Sequence, residues 1–566
     1  MNFKHEVASK ISSVTDLNID IIYNLIEIPP DPSLGDFAFP CFQLSKIYKK
    51  SPESIAAEIA DKLIKKNDKI FQLITPIKGY LNLFIDKSIY LNNVISEIIN
   101  LDDRYGSSNI GEGKTIIVEF SSPNIAKPFH VGHLCSTLIG NSLEKIYKFL
   151  GYKTIKINHL GDWGTQFGKL ITAYKHWGKE ENLKEEPIKA LLDLYVKFHH
   201  EAKNNKTLNE EARLNFKKLE EGDPDAIALW QKFRLLSLKE FKKIYSLLNI
   251  EFDSYEGESF YSDKLETVIE LLKEKNLLQI SENAVIVNLE HLNMPPCIIV
   301  KSDGASIYAT RDIAAAIYRK LTYDFERCIY VVGTPQALHF KQFFSVLKMM
   351  GYNWANSLIH VGFGLVKFTD RKLSTRTGDV IFLEDVLKES INKALKIINN
   401  KNPNLPDKEG IAKKVGIGSV IYTFLKNNRE RDIIFSWDET LNFDGESGPY
   451  IQYTYVRCQS ILRKSNLNTL QANYELLNSP EEIELVKLLD NFKEKIVEAA
   501  ERYEPSIITR HITEICKSFN RFYRNISILK TDNNNLKIAR INLTKSVSIV
   551  LKVGLNLLGI EVTENM

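Results

Sequence analysis

The sequence predicts a multidomain α/β plus all-α protein. A small N-terminal α+β domain is followed by an α/β core with a helical insertion, then by a C-terminal helical bundle. Three observations predict this. At 566 residues the chain exceeds what one hydrophobic core holds, and roughly three to four domains are expected. β-Branched runs alternate with helical periodicity from Thr115 to Val366. Beyond about residue 405 strand signals vanish and only helical periodicity remains. The expected boundaries are 1–106, 112–404 with the insertion at about 177–251, and 405–566.

Bulk properties exclude several classes. Apolar residues at 44% and charged residues at 26% are ordinary for a soluble globular chain. A net charge of +3 neither demands nor excludes nucleic acid, because a basic stripe can hide in a balanced total. The six cysteines (41, 135, 297, 328, 458, 516) form no CxxC pair, which argues against a zinc site or a disulfide framework. They suit a reducing cytosol, so a cytoplasmic location is expected. Residues 1–10 lack the apolar core of a signal peptide, and no uncharged apolar run approaches the length of a membrane span.

In chain order, Pro52 to Lys66 has Ile55, Ile59 and Leu63 on one helical face, with Ser51 as N-cap and Pro52 at the first helical position. Asp36 to Phe39 and Gly79 to Ile85 read as strands, and Asp102 to Gly113 as a linker. Thr115 to Val118 reads as a buried strand, Ser121 to Asn124 as a turn, and Leu134 to Leu150 as a helix with Gly151 as C-cap. A second β-branched run, Thr154 to Ile157, completes a β-α-β unit. The glycine-rich stretch Asn158 to Gly168 follows, then a Lys/Glu-rich helical insertion. The α/β pattern resumes at Val285–Val287, Ile298–Val300, Cys328–Val332 and Leu358–Val366. Residues 411–426, 450–465, 480–503, 506–524 and 535–558 carry helical spacing.

His130-Val-Gly-His133 sits where the strand hands over to the helix. Free helix N–H groups point there, and Gly132 permits close backbone approach. An isolated HxxH reads as two polar helix-start residues. In this position imidazole N–H groups can stabilise charge developing on a phosphate, and no nucleophile stands beside them. A basic loop is usually just solvated, but Lys372-Leu-Ser-Thr-Arg376 supplies cations able to clamp pyrophosphate. The two together suggest in-line attack on an α-phosphate with pyrophosphate leaving.

His-Val-Gly-His and Lys-Leu-Ser-Thr-Arg resemble the two signatures of class I aminoacyl-tRNA synthetases. Ser121 to His133, Gly161 to Gly168, Ser302 to Asp312 and Gly448 to Tyr453 further resemble the arginyl-tRNA synthetase family. The resemblance runs from Asp36 to Met566. It implies a Rossmann-type class I catalytic core, an N-terminal domain that contacts the tRNA elbow, and a helical anticodon-binding domain. It implies arginine–tRNA ligation through an arginyl-adenylate, with ATP as substrate, Mg2+ on its phosphates, and L-arginine and tRNA(Arg) as partners. A monomer is expected, with no dedicated metal site.

The resemblance places the amino acid at Glu119, Ser122, Asn124, His130, Tyr308, Asp312 and Gln336. A guanidinium needs carboxylates and planar acceptors, and Glu119 and Asp312 are assigned to it. Asn124 and Gln336 are assigned to the α-amino and carboxylate groups. Asp312 also reads as an N-cap before Ile313, and Glu119 as a charge at a strand end. Catalysis is assigned to His130, His133, Lys127, Lys372 and Ser374, and ATP binding to Gly132, His133, Lys372 and Arg376. The family loop has a second lysine where this chain has Thr375, and Lys127 is assigned to compensate. Cys135 stands where many members have arginine. Trp163, Gln166 and His159 read equally as pocket lining or core, and His339 reads as structural though it lies near Gln336. Tyr453, Arg457, Phe519, Arg521 and Phe522 are the tRNA candidates: basic and aromatic groups suit unpaired bases, but individually most such residues read as solvated charges or core aromatics, and it is the resemblance that implies tRNA binding by this domain. A different synthetase, an inactive RNA-binding paralogue and a helical scaffold remain as alternatives. The two carboxylates, the intact His130, His133 and Lys372, and the glycine-rich loops speak against them in turn.

Overall fold

The computed structural model describes residues 3–127, 129–302, 308–368, 382–465 and 472–566. The chain divides into two compact units. One comprises Met1–Tyr105, Arg457–Phe492 and Glu514–Leu551; the other comprises Gly106–Val456, Lys493–Thr513 and Lys552–Met566.

In the first unit, strands β1 (Phe37–Pro40), β2 (Phe71–Ile77) and β3 (Tyr80–Ile85) form an antiparallel sheet with β3 central. The helix Pro52–Lys66 forms as its sequence dictates. Ser51 accepts the Ser54 N–H at 3.3 Å, and Asn67 closes the helix in a left-handed conformation. Its face of Ile55, Ile59 and Leu63 is buried, and each such side chain contributes roughly 1.5–3 kcal/mol. The stretch read as a linker is held down at Tyr105, whose ring is wholly buried and whose hydroxyl donates to the Leu489 carbonyl at 3.0 Å.

In the second unit, β4 (Thr115–Glu119), β5 (Lys153–Ile157), β9 (Arg327–Val331) and β10 (Leu358–Val361) form a four-stranded parallel sheet in the order β10-β9-β4-β5. From β4 the chain first runs to β5 on one side and later to β9 and β10 on the other. The topological switch point therefore lies between β4 and β9. Ligands bind at the carboxyl ends of strands at such a point. The helix Val131–Phe149 joins β4 to β5, and Ser136 Oγ donates to the Val331 carbonyl at 2.6 Å, tying that helix to β9.

Two sequence expectations are corrected. Val285–Val287 and Ile298–Val300 are not in the parallel sheet. They belong to a separate antiparallel sheet of β6 (Leu278–Ser281), β7 (Ala284–Val287) and β8 (Cys297–Val300). Glu282 and Asn283, at φ 50° and 62°, make the two-residue turn that joins β6 to β7, and a tight hairpin forces antiparallel pairing. Strand structure also persists past residue 405. β12 (Ile433–Phe435) pairs in parallel with β11 (Val366–Phe368). Otherwise the C-terminal region is helical, in Lys408–Leu425, Gly448–Ser465, Pro480–Glu501, Ser506–Asn525 and Asn534–Leu557. Four helices fill the insertion: Glu180–Glu185, Pro187–Glu201, Lys206–Glu220 and Pro224–Leu247. No described helix is long and apolar enough to cross a membrane.

Candidate active site

The loop from β4 to the histidine helix is strained and held from several sides. Ser121, Ser122 and Ala126 all have positive φ (71°, 45° and 59°), unusual for residues bearing a Cβ. Ser121 is fixed by a buried network. Its N–H donates to Ser136 Oγ at 2.9 Å, and its hydroxyl meets Tyr245 at 2.7 Å and accepts from Thr137 at 2.9 Å. The Ala126 N–H donates to Ser237 Oγ at 2.9 Å. Tyr245 and Ser237 lie on the inserted helix Pro224–Leu247, so the insertion builds the loop's outer wall. Asn124 bridges to Gly161, where a Cβ would lie 2.0 Å from Asn124 Oδ1 and would push that side chain aside. Ser122 Oγ is buried without a hydrogen-bond partner.

The two histidines cap their own helix. The Gly132 N–H donates to His130 Nδ1 at 3.1 Å, and the His130 N–H donates to His133 Nδ1 at 3.3 Å. Both Nδ1 atoms are acceptors, so in each neutral ring the proton sits on Nε2. The rings lie 3.9 Å apart, and Phe129 stacks on His133 at 5.2 Å. Burial, with the neighbouring His130 and Lys127 charges, pushes His133 down to about 3; burial and Lys127 also lower His130. Lys127 is lowered by burial. The backbone of Phe382, where the described chain resumes after residue 368, pairs with His130, and the Leu383 N–H donates to the Phe129 carbonyl at 2.9 Å. Lys372, Ser374 and Arg376 lie outside the described residues.

A stability prediction follows from His133. Its folded pKa lies below the unfolded value of 6.5, so between those values the unfolded chain binds the extra proton and stability falls as pH falls. From pH 7 to pH 5 the loss at this site is about 2 kcal/mol. His133→Asn keeps a cap acceptor and removes the titration. In urea melts at the two pH values, this variant is expected to lose about 2 kcal/mol less than the parent; equal losses would refute a neutral buried His133.

The arginine candidates fall on two elements beside this loop. Tyr308 and Asp312 share a face of the helix Tyr308–Tyr323. The helix begins at Tyr308, so Asp312 lies inside it and is not its N-cap. Asp312 Oδ2 lies 2.6 Å from His339 Nε2, which gives His339 a defined place. Gln336 is exposed at a short 3-10 turn. Glu119 is buried and forms an ion pair with Arg319 at 2.5 Å, a close charge contact without hydrogen-bond alignment at Arg319 Nη1. Arg319 Nη2 also lies 3.3 Å from His159 Nδ1. The sequence reading sought Glu119's partner in a ligand, and Arg319 supplies one internally.

Glu258 was missed by the sequence reading. It lies on the 3-10 helix Glu258–Lys264, is 8% exposed, and its Oε2 has no hydrogen-bond partner. Burial pushes it up to about 8; Arg311, 3.6 Å away, lowers it too little, and Asp312 and Asp162 raise it further. Arg311 and Arg319 stand eight residues apart on one alanine-rich helix. Two buried arginines on one face require buried carboxylates, and that was the available clue.

Asp162 is wholly buried. It holds Arg234 Nε at 2.9 Å and the Ser259 N–H and hydroxyl at 2.8 and 2.9 Å. Trp163 packs edge-on against Trp230 and Phe216, and Gln166 Nε2 donates to the Trp163 carbonyl at 3.0 Å. Cys135 is buried in the histidine helix. Among the tRNA candidates, Phe519 and Phe522 are 0% exposed, a correction: they fill a core and present no face to a base. Tyr453 is exposed, Arg521 pairs with Glu484 at 2.9 Å, and Arg457 lies 5.1 Å over the exposed Tyr523 ring. Among the described residues, no group of three or more His, Cys, Asp or Glu could hold a metal ion.

Comparison with known proteins adds three family matches. Residues 94–437 match the tRNA synthetases class I (R) catalytic domain, 451–566 the DALR anticodon binding domain, and 1–85 the arginyl tRNA synthetase N terminal domain. The chain is 56% identical, over 566 residues and the whole of both chains, to an arginine–tRNA ligase of Clostridium botulinum (strain Loch Maree). It is 56% identical over 569 residues to that of Clostridium kluyveri (strain NBRC 12016), again over both full chains. Its fold is similar to that of Thermus thermophilus arginyl-tRNA synthetase, with a TM-score of 0.83 at 24% identity over all of both chains. It is also similar to the Plasmodium falciparum enzyme, with a TM-score of 0.80 at 28% identity over 100% of this chain and 99% of the other.

Proposed function

The chain belongs to the class I arginyl-tRNA synthetase family, and from that premise we propose how its residues divide the reaction. The enzyme activates L-arginine with ATP, giving arginyl-adenylate and pyrophosphate, and then transfers arginine to the 3′-terminal adenosine of tRNA(Arg). In the first step the arginine carboxylate attacks the α-phosphate. His130 and His133 present Nε2–H donors to the charge that develops there; Lys127 is assigned to the departing pyrophosphate, as are Lys372, Ser374 and Arg376 by sequence alone. Gly132 lets the backbone approach the nucleotide. The ATP phosphates would carry Mg2+, which would help to neutralise the departing pyrophosphate. In the second step the terminal 2′-hydroxyl attacks the activated carbonyl, the ester forms, and the carbonyl–phosphate bond breaks to release AMP.

The observation that carries the amino-acid assignment is the local charge balance. Glu119 is matched by Arg319 and Asp162 by Arg234, while Glu258, raised to about 8 by burial, stands mostly protonated 3.6 Å from Arg311. Asp312 is left with His339, which is charged only if protonated. Once Glu258 gives up its proton the cluster has room for one more cation, and a guanidinium between Asp312 and Glu258 beside Tyr308 supplies it. Ser122, Asn124 and Gln336 take the substrate's α-amino and carboxylate groups. Glu119, neutralised by Arg319, keeps a structural part beside the pocket. Measuring aminoacylation with ATP, tRNA and each amino acid in turn checks this assignment. Arginine is expected to charge alone; charging by lysine or glutamine instead would overturn it.

The working division is 1–106 for the tRNA elbow, 112–404 for catalysis with an insertion at 177–251, and 405–566 for the anticodon. Tyr453, Arg457 and Arg521 remain the residues proposed for bases and backbone. A cytoplasmic location fits six free, buried cysteines.

A further inference from the structure

The insertion reaches the phosphate side of the active site through one ring. Tyr195 lies on the inserted helix Pro187–Glu201, and the Lys127 ammonium stands 5.8 Å from its ring centroid. That is within the range over which a ring face attracts a cation. One turn later His199 packs edge-on against Tyr195 at 4.6 Å, steadying the ring. Lys127 itself is withdrawn from water, and its charge is felt at His130, His133 and His199. Among the described residues it makes no ion pair, and no carboxylate offsets its burial.

The choice of an aromatic holder has a chemical consequence. A carboxylate would fix the lysine more firmly, but it would cancel the charge that a phosphate needs. A ring face holds the ammonium through its quadrupole, leaves the full charge in place and leaves N–H donors free.

We propose that Tyr195 is a positioning residue for adenylate formation: its ring face holds the Lys127 ammonium beside His130 and His133 without neutralising it. This rests on the reading of Lys127 as a phosphate-facing cation. It also makes the insertion part of the catalytic machinery.

The test is arginine-dependent ATP–pyrophosphate exchange with saturating tRNA. It compares the parent with Tyr195→Phe, Tyr195→Trp, Tyr195→Leu, Lys127→Ala and the Tyr195→Leu/Lys127→Ala double variant. Thermal melts confirm the fold of each. Phe and Trp keep a ring and are expected within about twofold of the parent, whereas Leu lowers kcat/KM for ATP about five- to tenfold with the arginine KM unchanged. In the Lys127→Ala background the leucine substitution is expected to add nothing, because the cation it positions is gone. A Leu variant as active as the parent, beside an impaired Lys127→Ala, overturns the Tyr195 role and leaves the lysine reading standing. A fully active Lys127→Ala overturns the lysine reading and this proposal with it. Additive losses, or loss in Phe equal to that in Leu, assign Tyr195 to packing and overturn the proposal.

Discussion

His133→Ala and His130→Ala are each expected to lower kcat for arginyl-adenylate formation by about 10²- to 10³-fold, the usual cost of removing one preorganised donor to developing charge. The reason lies in the tautomers. Each Nδ1 is committed as an acceptor to a backbone N–H of the helix start, so each ring's proton sits on Nε2, away from that hydrogen bond. In the proposed mechanism a phosphoryl oxygen gaining charge then meets two neutral donors that need no reorganisation. Glutamine and asparagine variants separate the two ring nitrogens, because Gln places its amide near Nε2 and Asn near Nδ1. His133→Gln is expected to retain more activity than His133→Asn, measured as single-turnover adenylate formation with tRNA bound. The opposite order would place the catalytic proton on the wrong nitrogen and sink the argument. The cap itself is worth about 1 kcal/mol, so stability losses stay small beside the kinetic ones.

The place of the two histidines was partly legible in the sequence. A β-branched run, a turn of small polar residues and an apolar helical stripe put His130 and His133 at a strand-to-helix turn, and the structure builds that turn. The tautomers were not legible, because they depend on backbone N–H directions within one helical turn. The β6–β7 hairpin was misread because an isolated β-branched run looks the same in a parallel or an antiparallel sheet. Only the pair Glu282-Asn283 distinguished them, by adopting positive φ at both positions. Phe519 and Phe522 were read as stacking platforms because basic residues flank them. Yet Ile508, Ile512, Ile515, Phe519 and Phe522 form one stripe at helical spacing, and all five are buried. Periodicity pointed to the core there, and composition pointed the wrong way.

The carboxylate cluster is the site's least legible part, because Glu258 sits in a short 3-10 segment with no periodicity to mark it. It also yields the second large expected effect. Without arginine, Glu258 is pushed up to about 8, so near neutral pH it is mostly protonated. A guanidinium seated between Glu258 and Asp312 favours the ionised form, so binding expels that proton. Below pH 8 the free site holds a proton that the complex does not, and affinity falls as pH falls, by about tenfold per unit between pH 7 and pH 6. Calorimetry in two buffers of different ionisation enthalpy is expected to show nearly one proton released per arginine at pH 7. Glu258→Gln removes the titrating group, so the release should vanish and the pH dependence flatten. Asp312→Ala removes the carboxylate that lacks a permanent cation, and leaves the incoming guanidinium half-matched in a buried site. That is expected to raise the arginine Kd by about 10²- to 10³-fold, in line with breaking a buried charge pair. The helix Tyr308–Tyr323 should survive the change, since alanine is the better helix former. An unchanged arginine Kd in Asp312→Ala, or full proton release persisting in Glu258→Gln, would move the guanidinium elsewhere. If Asp312→Ala binds normally while Glu258→Gln does not, the Arg311 pair, and not the His339 pair, is the one the substrate opens.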